Sequence, residues 1–457
     1  MTNPHHQKSV QSGSRSAYAI IAAIGLLAMV ARILPFATSG TSFAMSYGDS
    51  PRYSQLAHGI AAGCGLAIPT GQRCSGPEVL RTPGYPLFLA ASGSLATSIV
   101  VSSALAGVIC SLIGLQTAQI WGTRAGLIAS AMFAGDLPSI CVTSQIMSDA
   151  LFQALIAAAV IIQVRAVYRR TWINSMAALL ASALLYGLAA LVRPVAEFLW
   201  IVAWVPVLFM TGWPIRRKII AALATTAIAA APALAWASRN YRTVGVFTLS
   251  TAGAVNLYYV IGAATMQEVT PGPILQIVRE LGNGVGPVYM DAPASSEAAM
   301  NSRAIRIIEA HPVAFAKVML LSALRIAIAP EETCLRSWAG STATDVGEPW
   351  YRNPAERIKG LIRPPALLFA MIFQLALLGF MWCGVALAVK KLWFAHAGLN
   401  MPLIVLPLLT AMLILALSAG PQGNAGRLRM PAVPLLAIVA AVGWCVGATD
   451  REEVPIA

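Results

Sequence analysis

The sequence is poor in charged residues. Asp, Glu, Lys and Arg make up only 11% of its 457 residues, whereas a soluble domain carries about 25%. This shortage excludes an ordinary soluble globular enzyme. Hydrophobic residues make up 58% of the chain and the mean hydropathy is +0.71. We therefore expect an all-α polytopic membrane protein.

Acidic residues are scarcer than basic ones, with 18 Asp and Glu against 31 Lys and Arg and a net charge of +13. The basic residues are scattered and not gathered into one soluble module, which disfavours nucleic acid as a partner. A basic excess is typical of membrane proteins, whose cytoplasmic loops lie beside anionic lipid. Membrane lipid is therefore an expected partner.

Motifs of several catalytic and metal sites are missing as well. The chain has no C-x-x-C pair and no His/Cys cluster, so a structural zinc site is unsupported. It has no G-x-S-x-G, no H-E-x-x-H and no P-loop, the signatures of a nucleophile elbow, a zinc protease and a nucleotide site. No internal repeat is found, so the two-halved design of many transporters has no support.

Apolar runs long enough to cross a bilayer, which takes about 20 helical residues, predict about ten transmembrane helices. The first run lacks a small-residue cleavage site and is expected to remain as a helix. The runs lie at 17–37, 97–119, 125–145, 149–166, 173–192, 195–212, 218–237, 364–389, 400–418 and 430–448.

Lysine and arginine set the expected orientation. If residues 1–16 are cytoplasmic, alternation also places the basic clusters at 165–170, 216–218 and 390–391 inside, as the positive-inside rule requires. The expected organisation is then a cytoplasmic N-terminus, a transmembrane core, an outer-face region with juxtamembrane helices, C-terminal transmembrane helices and a cytoplasmic tail. These cover 1–16, 17–237 (with a first outer loop at 38–96), 238–363, 364–448 and 449–457.

Two apolar stretches are not expected to cross. Residues 83–95 are too few to span the bilayer and should lie at the outer interface. Residues 311–330 contain Lys317 and Arg325, whose insertion at mid-helix is costly, so this stretch is expected to be an interfacial amphipathic helix. Within 238–363, the segments PILQIVREL and SSEAAMNSRAIRIIEA are expected to form short helices.

The cysteines leave one question open. Cys64 and Cys74 both lie in the first outer loop, where they are either a disulfide formed in an oxidising compartment or two unpaired thiols. Four further cysteines lie in apolar runs and are expected to be core residues; these are Cys110, Cys141, Cys383 and Cys445.

Two acids and several arginines are expected at one level, the outer edge of the membrane. Asp49 follows the first span and Asp149 opens the fourth. Outer loops usually avoid arginine, so the arginines at this level need an explanation. They are Arg81, Arg193, Arg239, Arg242, Arg427 and Arg429.

Each of these residues also has a structural interpretation. Asp49 and Asp149 are consistent with helix caps, and Arg193 with a side chain that extends to the interface. The arginines at 427–429 are consistent with stop signals in a short loop. Asp136, inside the third apolar run, is either a functional group or a residue at a kink that reaches water.

A substrate with a lipid tail and a phosphate head explains the acids and arginines together. Arginine matches phosphate with a planar fork of donors and keeps its charge. If phosphate is the leaving group, the cations stabilise charge that grows in the transition state. An acid then accepts the proton of an attacking hydroxyl, and its pKa is expected to rise at the poorly hydrated interface.

The segment GDSPRYSQLAHGIAAGCGL, followed by LRTPGYPLFLA, resembles the first outer loop of the GT-C membrane glycosyltransferases. It is most similar to the branch of the aminoarabinose transferases and protein O-mannosyltransferases. Asp49, Arg52, Tyr53 and Arg81 match that branch in turn, and Asp149 in QIMSDALF matches its second acid. Later segments that resemble the family are LVRP, ASRNYRTVGVFTLSTAGAVNLYY and GRLRMPAVPLLAIVA.

The resemblance implies a GT-C fold and inverting transfer of a sugar from a polyprenyl-phosphate donor to a hydroxyl of a glycan, lipid or protein. It places this chemistry on the periplasmic or extracellular face of a bacterial inner membrane, with Asp49 as general base. The implied catalytic residues are Asp49 and Asp149, the donor phosphate ligands Arg52, Arg81, Arg193, Arg239 and Arg427, and the other substrate contacts Tyr53, Tyr85 and Asn240. No cofactor is certain; Ser50 follows Asp49 where many members have a paired acid, which weakens the inference of a divalent metal ion.

Two other functions use the same residue types. A flippase or transporter of a lipid-linked sugar also grips phosphate, but it needs a polar path across the membrane, and only Arg32 and Asp136 stand clearly within spans. A ligase or polymerase of envelope glycans also releases a lipid phosphate. The resemblance to single-sugar transferases disfavours it.

Overall fold

The structure, a computed structural model, describes residues 4–71, 73–169, 171–282, 294–340, 365–394, 401–421 and 424–445. This part of the chain is almost entirely helical, which confirms the all-α expectation. Its first half contains α1 (Pro4–Ala44), α2 (Ser50–Ala61), α3 (Gly84–Ser92), α4 (Leu95–Trp121), α5 (Thr123–Ala134), α6 (Leu137–Thr143), α7 (Asp149–Val167), α8 (Trp172–Val192), α9 (Trp200–Ala203) and α10 (Ile215–Val244).

Its second half contains α11 (Ala252–Val255), α12 (Ala263–Val269), α13 (Ile274–Gly282), α14 (Glu297–Ala310), α15 (Pro312–Ile328), α16 (Glu332–Trp338), α17 (Pro365–Phe394), α18 (Met401–Ser418), α19 (Ala425–Arg429) and α20 (Val433–Cys445). Short 3₁₀ or π segments join some of these, at Pro194–Phe198, Val205–Phe209, Asn256–Gly262, Ala294–Ser296 and Met430–Ala432. Two two-residue strands, β1 (Pro69–Thr70) and β2 (Arg73–Cys74), form an antiparallel hairpin.

The chain is a polytopic membrane protein. In the described residues, 7 helices are long and apolar enough to cross a membrane, or up to 9 if each of two bent pairs is one span. The single helices are Ser16–Ala44, Leu95–Trp121, Asp149–Val167, Trp172–Val192, Ile215–Val244, Pro365–Trp393 and Ala425–Cys445. The bent pairs are Thr123–Ala134 with Leu137–Thr143, at 52°, and Glu297–Ala310 with Pro312–Ile328, at 103°.

The count in the described residues is thus 7 to 9, against the expected number of about ten. The run at 195–212 is not one helix, because it divides into Pro194–Phe198, Trp200–Ala203 and Val205–Phe209. Pro194 is the first residue of one segment and Pro206 the second residue of another, because proline has no amide hydrogen to continue the preceding turn. The run at 400–418 forms α18, whose apolar part is shorter than the other single spans.

The third apolar run is bent at Asp136. This residue caps α6: its Oδ2 accepts hydrogen bonds from the Ser139 amide at 3.0 Å and hydroxyl at 2.6 Å, and its Oδ1 accepts one from Gln374 at 2.8 Å. Asp136 is only 1% exposed. The side chain is thus a satisfied structural acid at a kink, and it does not reach water.

The span Ala425–Cys445 lies at the centre of the bundle and is the most buried one described. It packs against α17 so closely that a Cβ on Gly443 would lie 1.8 Å from the carbonyl oxygen of Gly384. Small residues permit this approach of two helix backbones. The central position also buries the arginines at the start of the span, Arg427 and Arg429.

The middle region contains the two short helices expected from its sequence, as α13 and α14. The stretch 311–330 forms α15, and Lys317 on it pairs with Glu268 at 2.5 Å. Its interfacial placement stays a prediction. Residues 341–364, which belong to the expected outer-face region, and the expected tail at 449–457 lie outside the described residues.

Two disulfides cross-link the described part of the chain. Cys64 and Cys74 form a disulfide that closes the β1–β2 hairpin. Cys141 on α6 is a buried core residue, as expected, and it is also bonded to Cys334 on α16, which the sequence did not predict. The two cysteines meet because α16 packs on α6, the short helix after the kink at Asp136. The other three cysteines are free thiols.

These disulfides predict a defined thiol count. The unfolded, unreduced protein should bind three maleimides, and the reduced protein should bind one at each of its seven cysteines, as measured by intact mass. A Cys334→Ser variant frees its partner and should bind four maleimides before reduction. Five on the unreduced wild type would show that one bridge is absent.

Candidate active site

The first acid of the site is Asp49, the residue before α2. It occupies the N-cap position, but its side chain makes no capping hydrogen bond. Its Oδ1 instead accepts one from Nη2 of Arg81 at 2.5 Å. The guanidinium of Arg81 also lies 5.9 Å from the centroid of the Tyr53 ring. That ring is buried and packs edge-on against the ring of Tyr85, with 4.9 Å between the two centroids.

The second acid is Asp149, the first residue of α7. Its Oδ1 accepts a hydrogen bond from Nη1 of Arg193, at the end of α8, and its Oδ2 accepts one from Nε of Arg427 at 3.0 Å. Arg193 thus has a partner and does not simply extend to the interface. Asp149 uses its carboxylate for ion pairs and makes no cap of its own helix.

Arg427 connects the two acids. While its Nε binds Asp149, its Nη2 lies 3.9 Å from Oδ2 of Asp49. At 3.9 Å, Arg427 and Asp49 form an ion pair, but the distance is too long for a hydrogen bond. Helix ends that are far apart in sequence thus form one cluster of two carboxylates and three guanidiniums, which is called the acid–arginine cluster below: Asp49, Arg81, Asp149, Arg193 and Arg427.

The two acids differ in exposure. The Asp49 side chain is 24% exposed, whereas that of Asp149 is fully buried. Of the two acids, Asp49 is therefore the one open to solvent, while Asp149 is enclosed with Arg193 and Arg427.

The expectation that the pKa of the first acid rises is wrong. Burial alone would raise the pKa of the Asp49 carboxyl, but the positive charges of Arg81 and Arg427 outweigh burial. They hold the pKa of Asp49 below its usual value. The carboxylate is therefore ionised, and able to accept a proton, across the physiological pH range.

Arg52, an expected phosphate ligand, pairs instead with Glu78. Its Nε donates to Oε2 of Glu78 at 2.7 Å, and Oε1 of Glu78 accepts the amide of Leu80 at 2.8 Å. Glu78 is buried and also receives the amide of Arg81. It thereby fixes the loop that presents Arg81. Glu78 was not among the residues predicted from the sequence, although its position three residues before Arg81 indicates a contact with this loop.

Asn240, a further expected site residue, contacts the turn after α10. Arg239, another one, contacts its own helix and donates at 3.5 Å to the carbonyl of Glu78, in the loop that presents Arg81. Arg239 lies over Trp236 and donates to Oδ1 of Asn240 at 3.0 Å. The Asn240 amide donates to the carbonyl of Thr248 at 2.8 Å. The structure places both outside the contacts of the acid–arginine cluster, and their roles in binding stay predictions.

Arg427 and Arg429 serve different purposes although they are two residues apart. Arg427 enters the acid–arginine cluster. Arg429 donates to the carbonyls of Ile326 and Ala329, each at 2.7 Å, at the C-terminal end of α15. Cations at this end of a helix satisfy its unpaired carbonyls. Neither arginine is a simple stop signal.

Metal-ligand groups are not assembled in the described part of the chain: it contains no group of three or more His, Cys, Asp or Glu side chains that could hold an ion. The carboxylates of the acid–arginine cluster face guanidiniums.

No protein-family model and no curated protein matches the chain. Among solved structures it is similar to ArnT from Cupriavidus metallidurans bound to undecaprenyl phosphate, with 12% sequence identity and a TM-score of 0.38 over 93% of this chain and 77% of that one. It is also similar to the apo state of ArnT from the same organism, with 12% identity and a TM-score of 0.35 over 90% and 76%. At values this low, a shared activity does not follow from the similarity.

We expect Asp149→Asn to destabilise the protein by about 3 kcal/mol, because it leaves two buried guanidiniums without their shared carboxylate. Thermal unfolding of the purified protein in detergent measures the effect. Asp49→Asn is the matched control and should cost less, because its ion pairs are partly exposed. Equal unfolding temperatures for the two variants would contradict the assignment of Asp149 as the buried centre of the cluster.

Proposed function

We propose that the protein is a GT-C-type glycosyltransferase. It transfers a sugar from a polyprenyl-phosphate-linked donor to a hydroxyl of an envelope glycan, lipid or protein, with inversion and with Asp49 as general base. One observation carries the proposal: a partly exposed carboxylate lies beside two guanidiniums, and a second, buried carboxylate holds one of them in place.

The charge of the site suits a lipid phosphate diester. Three guanidiniums against two carboxylates leave one positive charge in the acid–arginine cluster. A sugar–phosphate–lipid diester carries one negative charge, which balances it. Arg81 and Arg427, the two arginines that face Asp49, are the proposed ligands of this phosphate because planar guanidinium donors fit its oxygens.

The proposed reaction is a displacement at the anomeric carbon. The acceptor hydroxyl gives its proton to Asp49 while its oxygen forms a bond to the anomeric carbon on the face opposite the phosphate. The bond between the anomeric carbon and the phosphate oxygen breaks, and its electron pair leaves with the lipid phosphate. Attack from the opposite face inverts the configuration.

Charge balance is kept through this step. The lipid phosphate gains a second negative charge as it leaves, and Asp49 becomes neutral as it accepts the proton. The arginines of the cluster then face one carboxylate and the departing phosphate. Preorganised cations of this kind stabilise the transition state most where negative charge develops.

The disulfides support an outer-face location for this chemistry. Cys64–Cys74 lies in the same loop as Asp49 and Arg81, and Cys141–Cys334 joins α6 to α16 close to Asp149. Disulfides form in oxidising compartments such as the periplasm and the cell exterior. We therefore propose a bacterial inner membrane protein with its site on the periplasmic or extracellular side.

Arg32 and Asp136, the two ionisable groups that the sequence places clearly within spans, favour an enzyme over a flippase. Arg32 is fully buried and donates to the carbonyls of Ala28 and Phe133, each at 3.0 Å. Asp136 caps α6. Both are used by the fold, so neither contributes to a polar path for a lipid head group.

Replacing Asp49 by Asn should abolish the proposed base. We expect turnover to fall by about 10²–10⁴-fold, measured as release of undecaprenyl phosphate from a panel of undecaprenyl-phosphate sugars in nanodiscs that contain extracted envelope lipids. Glu280→Gln, a change at an exposed carboxylate on α13, is the control and should keep full turnover. Full turnover by Asp49→Asn would remove Asp49 as the base.

The lowered pKa of Asp49 predicts the acid side of the pH profile. The acid limb of kcat/KM reports the base in the free enzyme, and here it should lie below about pH 3.9, the usual aspartate value. Arg81→Gln removes the strongest opposing charge. Burial then raises the pKa, and the limb should move to higher pH. A wild-type limb between about pH 5 and 7 would show that Arg81 and Arg427 do not control Asp49.

A further inference from the structure

Glu331 is a buried carboxylate that contacts the arginine shared by the two aspartates. Only 2% of its surface is exposed. Its Oε1 accepts a hydrogen bond from the hydroxyl of Tyr47 at 2.7 Å, and its Oε2 accepts one from the backbone amide of Arg427, also at 2.7 Å. The proposed reaction assigns no role to Glu331 or Tyr47.

Tyr47, which binds Glu331, also contacts the side chain of Arg427. The guanidinium of Arg427 lies over the tyrosine ring, 5.2 Å from its centroid, in a cation–π contact. Arg427 is therefore fixed at three points. Glu331 holds its amide, Tyr47 packs on its guanidinium face, and Asp149 accepts its Nε at 3.0 Å.

The backbone of Glu331 is strained. Its φ angle is +63°, and it is the only residue other than glycine with a positive φ in the described ranges. Residues with a side chain rarely adopt this conformation, and it persists only where the surrounding structure imposes it. Such positions concentrate at functional sites.

The surrounding contacts account for this conformation. Three residues further along, Cys334 is bonded to Cys141 on α6. Before it, Arg429 holds the carbonyl of Ala329. Gly426, the neighbour of Arg427, lies so close that a Cβ there would be 2.7 Å from the Cβ of Glu331. Glu331 is thus anchored on both sides and pressed against the backbone that carries Arg427.

We propose that Glu331 and Tyr47 are positioning residues of the transfer reaction, which set Arg427 so that its guanidinium bridges Asp149 and Asp49. The inference rests on the proposed function. It assigns to the pair no contact with substrate. Their contribution is the geometry of the cation that binds phosphate and controls the proton acceptor.

The arrangement has an electrostatic consequence that a purely structural role lacks. Arg81, Arg427 and Arg193 are the charged groups that lower the pKa of Asp49 against the effect of burial. If Arg427 moves away, the pKa of Asp49 rises and the acid limb of kcat/KM shifts to higher pH. Glu331 itself faces Tyr47, Arg427 and Arg325, and burial raises its pKa.

The test compares Glu331→Gln, Tyr47→Phe and the double variant in full-length protein. Gln keeps the size of Glu331 but can accept only one of its two hydrogen bonds. We expect kcat/KM to fall by about 100-fold, the effect of a small displacement of a catalytic group, with weaker binding of undecaprenyl phosphate and an acid limb at higher pH. Tyr47→Phe keeps the ring over Arg427 and removes only the hydroxyl that binds Glu331, so the double variant should be no worse than Glu331→Gln.

Glu332→Gln is the matched control, since Glu332 pairs with Arg336 on its own helix at 2.5 Å, and it should behave as wild type. Tyr47→Phe, the smaller change, serves if Glu331→Gln does not fold. Activity lost only in proportion to unfolded protein, with an unchanged pH limb and unchanged binding, would overturn the inference, as would equality with Glu332→Gln. A wild type that neither binds undecaprenyl phosphate nor transfers sugar would instead overturn the proposed function.

Discussion

The buried ion pair between Asp149 and Arg427 is the interaction on which the rest of the site depends. A fully buried carboxylate is tolerated only when it is paired and hydrogen-bonded. Arginine meets this requirement with one edge of its guanidinium and still presents another edge to a second group. Arg427 therefore pairs with the buried Asp149 and also lowers the pKa of Asp49. A lysine, whose charge lies on a single ammonium nitrogen, could not bind Asp149 with one edge and face Asp49 with another.

The membrane explains how residues so distant in sequence meet. Helices that cross a bilayer end near one of two planes, so their terminal residues become neighbours whatever their separation along the chain. Asp49, Arg81, Asp149, Arg193 and Arg427 all lie at or beside helix ends. The apolar bundle below supplies a rigid base. The loops and short helices between the spans orient the charged side chains, as Glu78 does when it binds the backbone amide of Arg81.

The sequence predicted those parts of the molecule that follow from local pattern. Long apolar runs predicted the helices. Ionisable residues next to these runs were the candidate site residues: Asp49, Arg81, Asp149, Arg193 and Arg427. The breaks were harder to predict: proline divides 195–212, and the bend at Asp136 is fixed by Gln374 from a distant helix.

Side-chain pairing was not predictable from the pattern either. Nothing in the spacing of Cys141 and Cys334 indicates a bond across 193 residues. The partners of Arg52 and Arg427 depend equally on packing between distant segments. The pKa of Asp49 was mispredicted for the same reason, because its sign is decided by which cations the fold brings near.

The central position of the span Ala425–Cys445 has a consequence for biogenesis. This helix follows the other described spans in the chain, and N-terminal segments are made and fold first. A nascent chain that ends between residues 149 and 427 has both aspartates but not the guanidinium that joins them. Ribosomal products that stop in this interval therefore lack a complete acid–arginine cluster, and the central helix and its arginine enter the bundle in the same insertion step.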